Sequence, residues 1–442
     1  MTENIPHVVI IGGGFGGLEV AKGLRGERCK ITLIDRTNHH LFQPLLYQVA
    51  MAAISSVEIA YPIRAILRKQ ENATVLMAEV MSIDVERKAV ILEDREVNYD
   101  YLVIAAGSQS SYFGHKEWEQ HAIGLKSLRD AFRIRRAVLL SFEAAERLST
   151  SKDVQSFLTF VIIGGGPTGV ELAGSLAELS RRVLMDDFRN IDSESAKIIL
   201  LEGAPRILPT MSERVSELAT SDLKKLGVEV MTKTMVTDIT KDGVQIGDKF
   251  IPSVTKMWCA GVSPSPLAKT LNGVKLDKGG RIIVQPDLSI ENYPKVFAVG
   301  DIVSFIQDEK PVPGVAPVAL QMGQSVASSI RNSLDGKPTN NFRYIDRGSL
   351  ATIGRSAAVA SFGKHAFNGF FAWLAWVFIH IASLIGFRNR MVVMFDWMWS
   401  YVTYQRGARL ITDHGIEQDV DLKMDACEEE NRTLAESKKA GV

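Results

Sequence analysis

Gly12, Gly14 and Gly17 stand in the spacing G-x-G-x-x-G directly after the apolar run VVII, and Asp35 follows 23 residues after Gly12 at the end of ITLID. Glycines at that spacing let backbone N–H groups close on a pyrophosphate at a helix N-terminus, and an acid at that distance can accept from a ribose hydroxyl. A glycine-rich turn without a ligand is the blander reading. Against it stands the order of strand, glycines, helix, strand and acid, which is what a dinucleotide site needs. The pattern recurs 152 residues later at Gly164, Gly166 and Gly169, where FVIIGGGPTGVELAGSL echoes VVIIGGGFGGLEVAKGL and Glu202 closes the strand-like IILLE. Between Gly164 and Glu202 lie 38 positions rather than the usual figure of about 20, so an insertion such as residues 181–192 must lengthen the connection. A carboxylate at Glu202 repels a 2′-phosphate and favours NADH over NADPH, with Arg206 nearby as the opposing sign. Two dinucleotide sites on one chain suggest a flavin meeting a nicotinamide face to face.

The elements that must position these residues follow from periodicity. Each copy reads as a short β-branched strand, a tight turn and a helix, so two doubly wound sheets are expected. Residues 72–90 and 97–106 look like strands, residues 127–148 like a charged amphipathic helix leading into the second sheet, and strand signals recur at residues 198–202, 228–231 and 254–259. The fold class is therefore α/β, with two Rossmann-like nucleotide-binding domains, the second inserted in the first, and a C-terminal helical membrane-associating region. The expected layout is one nucleotide-binding domain over residues 1–125 and 266–360, a second over 126–265, membrane-associating helices over 361–422 and a polar tail over 423–442.

Composition removes several function classes. A length of 442 residues implies two or three packed units. Lys plus Arg and Asp plus Glu are both 51, which leaves no basic footprint for nucleic acid. Three distant cysteines, Cys29, Cys259 and Cys427, exclude a disulfide framework and any C-x-x-C motif; no spacing supports a metal site, and a reducing compartment is expected. No export leader precedes the first strand-like run, so export through the N-terminus is not expected.

The ordered set of both glycine motifs, VIAAG, WCAG and AVGD resembles the pyridine-nucleotide-dependent flavoprotein reductase superfamily over residues 5–330. Disulfide reductases of that superfamily carry a C-x4-C pair where this chain has NHHLFQPLLYQVA, so the flavin must hand electrons directly to an acceptor. That stretch, WCAGV and the C-terminal RNR and YQRGARLI resemble the type II NADH:quinone oxidoreductases, single-subunit respiratory dehydrogenases that do not pump protons. The resemblance implies FAD in the first nucleotide-binding domain, with contacts at Gly12, Gly14, Phe15, Gly16, Gly17, Asp35, Arg36, Val80, Ala106, Gly107 and Asp301. It implies NADH in the second, with contacts at Gly164, Gly166, Pro167, Thr168, Gly169, Glu202, Ala260 and Gly261. It places Glu171 at the cofactor junction, to orient the nicotinamide or relay a proton; the plainer account is a first-turn acid that favours the helix dipole.

The family's A-Q-x-A-x-Q-Q-G beside the quinone reads APVALQMG here, with Pro317 for the first glutamine and only Gln321 surviving of the pair. Proline brings no side-chain hydrogen bond, so Gln321, backbone or another residue must hold the acceptor. Lys364 could supply a proton or hold a quinone oxygen; a solvated lysine anchoring a membrane segment weighs equally. His39 and His40 read as packing residues near the flavin, and His380 as a neutral imidazole within an apolar run.

Residues 367–387 hold 16 apolar residues and no charge; as one helix they would reach about 31 Å, one hydrocarbon core. Four of the six tryptophans, Trp373, Trp376, Trp397 and Trp399, lie close by. Crossing, re-entering or lying flat, with residues 391–404 as a second helix, are all open at this point, as is a buried core or dimer helix. The expected activity is hydride transfer from NADH to FAD and two-electron reduction of a membrane quinone, ubiquinone or menaquinone, at the cytoplasmic side of a bacterial inner membrane. The expected partners are NADH, quinone and the lipid bilayer; a homodimer stays open, and nucleic acid is not expected. Alternatives are a flavin-containing NADH sensor or interaction protein and a sulfide:quinone oxidoreductase, the latter needing reactive cysteines near the flavin.

Overall fold

Strand His7–Ile11 pairs in parallel with Lys30–Asp35, Val8 opposite Ile31, and on its other side with Tyr101–Ile104, Val8 opposite Tyr101. All three are near-continuous apolar runs because helices cover both faces of a parallel sheet. The computed structural model describes residues 5–149, 153–355, 357–362, 365–403 and 408–411. The chain divides into two compact units, one of Met1–Leu41, Ala60–Gln109 and Val262–Arg347, the other of Phe42–Ile59, Ser110–Gly261 and Gly348–Val442.

In the first unit the sheet runs Ser289–Ile290, Tyr293–Ala298, Tyr101–Ile104, His7–Ile11, Lys30–Asp35, Ala73–Met77, with an antiparallel edge at Ser289–Ile290. Helix Phe15–Gly23 follows the first strand, and the longer helix Ala316–Leu334 lies against it. Glycines permit that closeness: a Cβ on Gly323 would meet the Gly16 carbonyl oxygen at 2.4 Å. Pro317 occupies the first turn of the longer helix, where a missing N–H costs nothing.

In the second unit the parallel sheet runs Ile123–Gly124, Thr255–Trp258, Thr159–Ile163, Lys197–Leu201, Val228–Met231. The amphipathic helix is Leu128–Arg147, closed at its start by a capping box in which Ser127 and Asp130 exchange hydrogen bonds. Helix Pro167–Glu178 is extended by a π-helical turn, Leu179–Val183, and a loop before Lys197, which is the extra length that separates Gly164 from Glu202. Residues from Gly348 onward join this unit through an antiparallel sheet, Ser349–Thr352, Ala358–Phe362 and His365–Gly369, and two helices, Phe370–Ser383 and Phe387–Thr403.

The apolar stretch 367–387 is thus not one helix. Its first residues finish a strand, Gly369 and Gly386 adopt positive φ, and Leu384 is extended, which ends the helix after 14 residues. Fourteen residues reach about 21 Å against a hydrocarbon core of about 30 Å. Among the described residues no helix is long and apolar enough to cross a membrane, so the expectation of a transmembrane helix is corrected.

Candidate active site

The two glycine turns are built alike. Gly12 has φ +101° and Gly164 φ +109°, a backbone that L side chains resist. A Cβ on Gly17 would meet the Gly12 carbonyl oxygen at 1.9 Å, and one on Gly169 would meet that of Gly164 at 1.9 Å, so only glycine lets each helix start this close to its turn. Gly14 and Gly166, the residues just before each helix, have open space where a Cβ would go. Each cradle opens at a helix N-terminus, whose first backbone N–H groups have no partner within the helix, the donor set a pyrophosphate requires.

Each strand-end acid is anchored by the turn it serves. Asp35 Oδ2 accepts the Gly13 N–H at 2.6 Å, while Oδ1 accepts the Thr37 N–H and hydroxyl at 2.7 and 2.8 Å. Glu202 Oε2 accepts the Gly165 N–H at 2.6 Å and Oε1 the Ala204 N–H at 2.6 Å. A carboxylate offers about four lone-pair sites, so Glu202 keeps acceptors for a ribose. Arg206 is turned to the Met211 carbonyl and the Ser216 hydroxyl, at 2.8 and 2.7 Å, and so is occupied away from that acid.

In the first unit Ala106 and Gly107 lie beside Gly12, with Ala106 Cα 3.4 Å from where its Cβ would be. Val80 opens a strand two residues after Ala78, whose N–H bonds the Asp35 carbonyl; Arg36 is exposed. Asp301 Oδ2 accepts the Ser108 hydroxyl at 2.7 Å next to Gly300, whose φ is +78°. These two residues line a cleft with Gly300, Gly314, Val318 and Met322. Glycine cradle, acid and a second polar cleft in the same unit fit an FAD, whose diphosphate and ribityl arm need those groups. His40, buried, bonds the Gly13 carbonyl through Nδ1 at 2.9 Å and meets the Phe15 ring edge-on, a packing role as expected.

In the second unit Ala260 packs on Gly164, whose Cβ would meet Ala260 Cα at 2.5 Å, and Gly261 is covered by the Phe113 ring. Glu171 sits one turn into helix Pro167–Glu178; its carboxyl accepts one long bond, from the Thr352 N–H at 3.5 Å, and burial pushes its pKa up to about 8. A proton is therefore held there at neutral pH. Burial pushes the Cys259 thiol up to about 12.

Gln321, in the first unit, is committed elsewhere. Its amide oxygen accepts the Ile345 N–H at 2.9 Å and its nitrogen donates to the Ile345 carbonyl at 3.0 Å. Met322, where the family has a second glutamine, accepts the Gly300 N–H through sulfur. Lys364 lies outside the described residues. His380 donates from Nδ1 to the Trp376 carbonyl at 2.7 Å, stacks on the Trp376 indole, and is driven down to about 4 by burial, hence neutral. Sequence reasoning missed Tyr47, Gln48, Thr352 and Trp397, which are linked by hydrogen bonds through to Glu171. Nothing local marks them, because the linked residues are 305 and 349 positions apart in the chain.

Residues 6–323 match the pyridine nucleotide-disulphide oxidoreductase family, and residues 347–404 match the NDH2 C-terminal domain. A type II NADH:quinone oxidoreductase of Mycobacterium tuberculosis is 45% identical over 422 residues, 92% of this chain and 90% of its own length. One from Staphylococcus aureus is 31% identical, covering 82% of this chain and 92% of its own. Among solved structures, an NDH2 of Plasmodium falciparum in complex with NADH superposes with a TM-score of 0.84 at 19% identity, over 93% of this chain and all of that one. The sulfide:quinone oxidoreductase of Aquifex aeolicus shares the fold with a TM-score of 0.71 at 21% identity, over 87% and 92% of the two chains.

Proposed function

The chain belongs to the pyridine nucleotide-disulphide oxidoreductases and, within them, to the type II NADH:quinone oxidoreductases, and from that premise we infer how its own residues carry out NADH oxidation by quinone. The overall reaction is NADH + quinone + H⁺ → NAD⁺ + quinol. Bound FAD supplies the redox relay, taking hydride from NADH and passing two electrons to the quinone. The observation that carries the assignment is the duplicated cradle, Gly12 to Gly17 with Asp35 and Gly164 to Gly169 with Glu202, each acid anchored on its own turn.

The residue roles are as follows. Backbone N–H groups at Gly14 to Gly17 hold the FAD diphosphate and Asp35 its adenosine ribose, while Ser108 fixes the Asp301 carboxylate for the ribityl arm. The Gly166 to Gly169 turn takes the NADH pyrophosphate, with Glu202 on the adenosine ribose. Glu171 holds the proton that quinol formation consumes, because a carboxyl with a pKa near 8 is loaded at neutral pH and can give up that proton to an oxygen gaining charge. Gln321 serves the acceptor only by leaving its paired contacts with Ile345.

The acceptor's place follows from exposed apolar side chains. Phe371 is 77% exposed, Phe378 73% and Trp399 61%, and Phe370, Leu374, Phe395 and Met398 are exposed with them on the two C-terminal helices. Such aromatic, apolar faces on helices too short to span lie in the lipid interface, with Arg388 and Arg390 at the start of the second helix drawn to anionic headgroups. We place this face on the cytoplasmic surface of a bacterial inner membrane, where ubiquinone or menaquinone is dissolved. The test is anaerobic: NADH should bleach the flavin of the purified enzyme, and a ubiquinone or menaquinone analogue should restore its colour. Bleaching that neither quinone reverses would reject the acceptor.

A further inference from the structure

A line of four buried or half-buried polar side chains runs from the second C-terminal helix to Glu171, and its first member fixes the direction of the first two bonds. The Trp397 indole N–H can only donate, and it does so to Gln48 Oε1 at 2.8 Å. The oxygen of that amide being taken, its nitrogen faces Tyr47 and donates to Oη at 3.0 Å. Tyr47 Oη, which carries one proton, shares a hydrogen bond with Thr352 Oγ1 at 2.7 Å. Burial lifts the Tyr47 pKa far above its ordinary range, so that proton is present at every working pH. The Thr352 N–H then donates to Glu171 Oε1 at 3.5 Å, the carboxyl's polar contact among the described residues.

Gln48, Tyr47 and Thr352 are buried at 8%, 6% and 4% exposure, so each bond would leave an orphaned polar group if it broke. Trp397 is also packed against the Trp376 ring at 5.1 Å and is followed directly by the exposed Met398 and Trp399. Whatever seats that helix therefore acts on the first bond of the line.

We propose that the Trp397–Gln48–Tyr47–Thr352 line positions the Glu171 carboxyl, which makes Trp397, on the helix that carries the exposed apolar face, a remote positioning residue for proton delivery. The inference rests on Glu171 being the proton-bearing group of the proposed function. Among the described residues the ionisable groups around the line are Tyr47 itself, Glu178 farther along the Glu171 helix with the Arg355 backbone N–H donating to it, and at the outer end Glu58, Asp396, Arg388 and His380, which stacks on the Trp376 ring. None of these is removed by the variants used below except Tyr47.

The test titrates Glu171 in the full-length, FAD-loaded enzyme by infrared spectroscopy, its carboxyl band assigned by subtraction of the Glu171→Gln spectrum. Trp397→Phe keeps an aromatic ring and removes the donor along with one of the two fused rings of the indole; Tyr47→Phe removes the hydroxyl. Loosening the Thr352 N–H takes away a donor that favours the carboxylate, so in both variants the midpoint should rise from about 8 by about half a unit, roughly threefold in proton affinity. The alkaline limb of the quinone-reduction pH profile should move with it while the KM for NADH stays put. A midpoint unchanged in Trp397→Phe overturns the proposal, even if Tyr47→Phe shifts it, because the line then stops short of the helix. Should Tyr47→Phe fail to fold, Trp397→Phe decides alone. Because the titration needs no acceptor, a shifted midpoint in an enzyme that reduces no quinone would uphold the line and reject the acceptor reading.

Discussion

Glu171 and Glu202 are both helix- or strand-end acids, and their environments give them opposite tasks. Glu202 accepts two backbone N–H groups at 2.6 Å, whereas Glu171 has one long contact and burial around it. Changing Glu202 to Gln should raise the KM for NADH roughly tenfold, about 1.4 kcal/mol of binding, and leave quinone kinetics alone; steady-state assays varying each substrate check this. For Glu171 the folded-state pKa of about 8 lies above the ordinary 4.5, so the folded state holds a proton that the unfolded chain has lost between those values. That contribution to stability is present in full below about pH 4.5 and disappears as pH rises through about 8. Melting temperatures of wild type and Glu171→Gln, compared at pH 5 and pH 9, should show the wild type losing ground at the higher pH; a difference independent of pH would refute the raised pKa.

The helices and strands that carry these acids were legible because their signals are local. Ser127 and Asp130 cap the helix that begins at Leu128, and the runs at residues 198–202, 228–231 and 254–259 became strands within a residue or so of where β-branched residues cluster. The cradles allow a prediction at this scale. A methyl on Gly12 would collide with the Ala105 carbonyl at 2.3 Å, and one on Gly164 with Ala260 and Cys259 backbone at 2.5 Å, both on positive φ. Gly12→Ala should purify with flavin depleted, whereas Gly164→Ala should keep its yellow colour and lose bleaching by NADH; absorbance before and after NADH separates the two. How far the helix runs within the long apolar stretch was not legible, because apolarity is silent about backbone direction. Gly386, in its positive-φ turn, and the extended Leu384 divide it.

At the scale of the molecule, function depends on a water-soluble reductant and a lipid-dissolved oxidant reaching one protein. In the function proposed above, the exposed apolar face of the two C-terminal helices answers the second need. Replacing Phe371 and Phe378 with serine should lower partition onto anionic liposomes and the rate with long-tailed quinones, while activity with a water-soluble quinone analogue persists; flotation assays alongside kinetics measure both. Legible in the sequence itself were the two glycine turns, the acids that close on them, the α/β class and the kinship with quinone-reducing dehydrogenases. Each of those rests on residues within a few tens of positions, where spacing and chemistry are tightly coupled. Tertiary packing alone settles that the helix of the apolar segment stops after 14 residues, that Gln321 is bound by Ile345, and that Trp397 is tied to Glu171 through Tyr47. Hydrogen bonds across 305 and 349 positions form when the folded chain buries polar groups that must find partners, and no local pattern records which partners those will be.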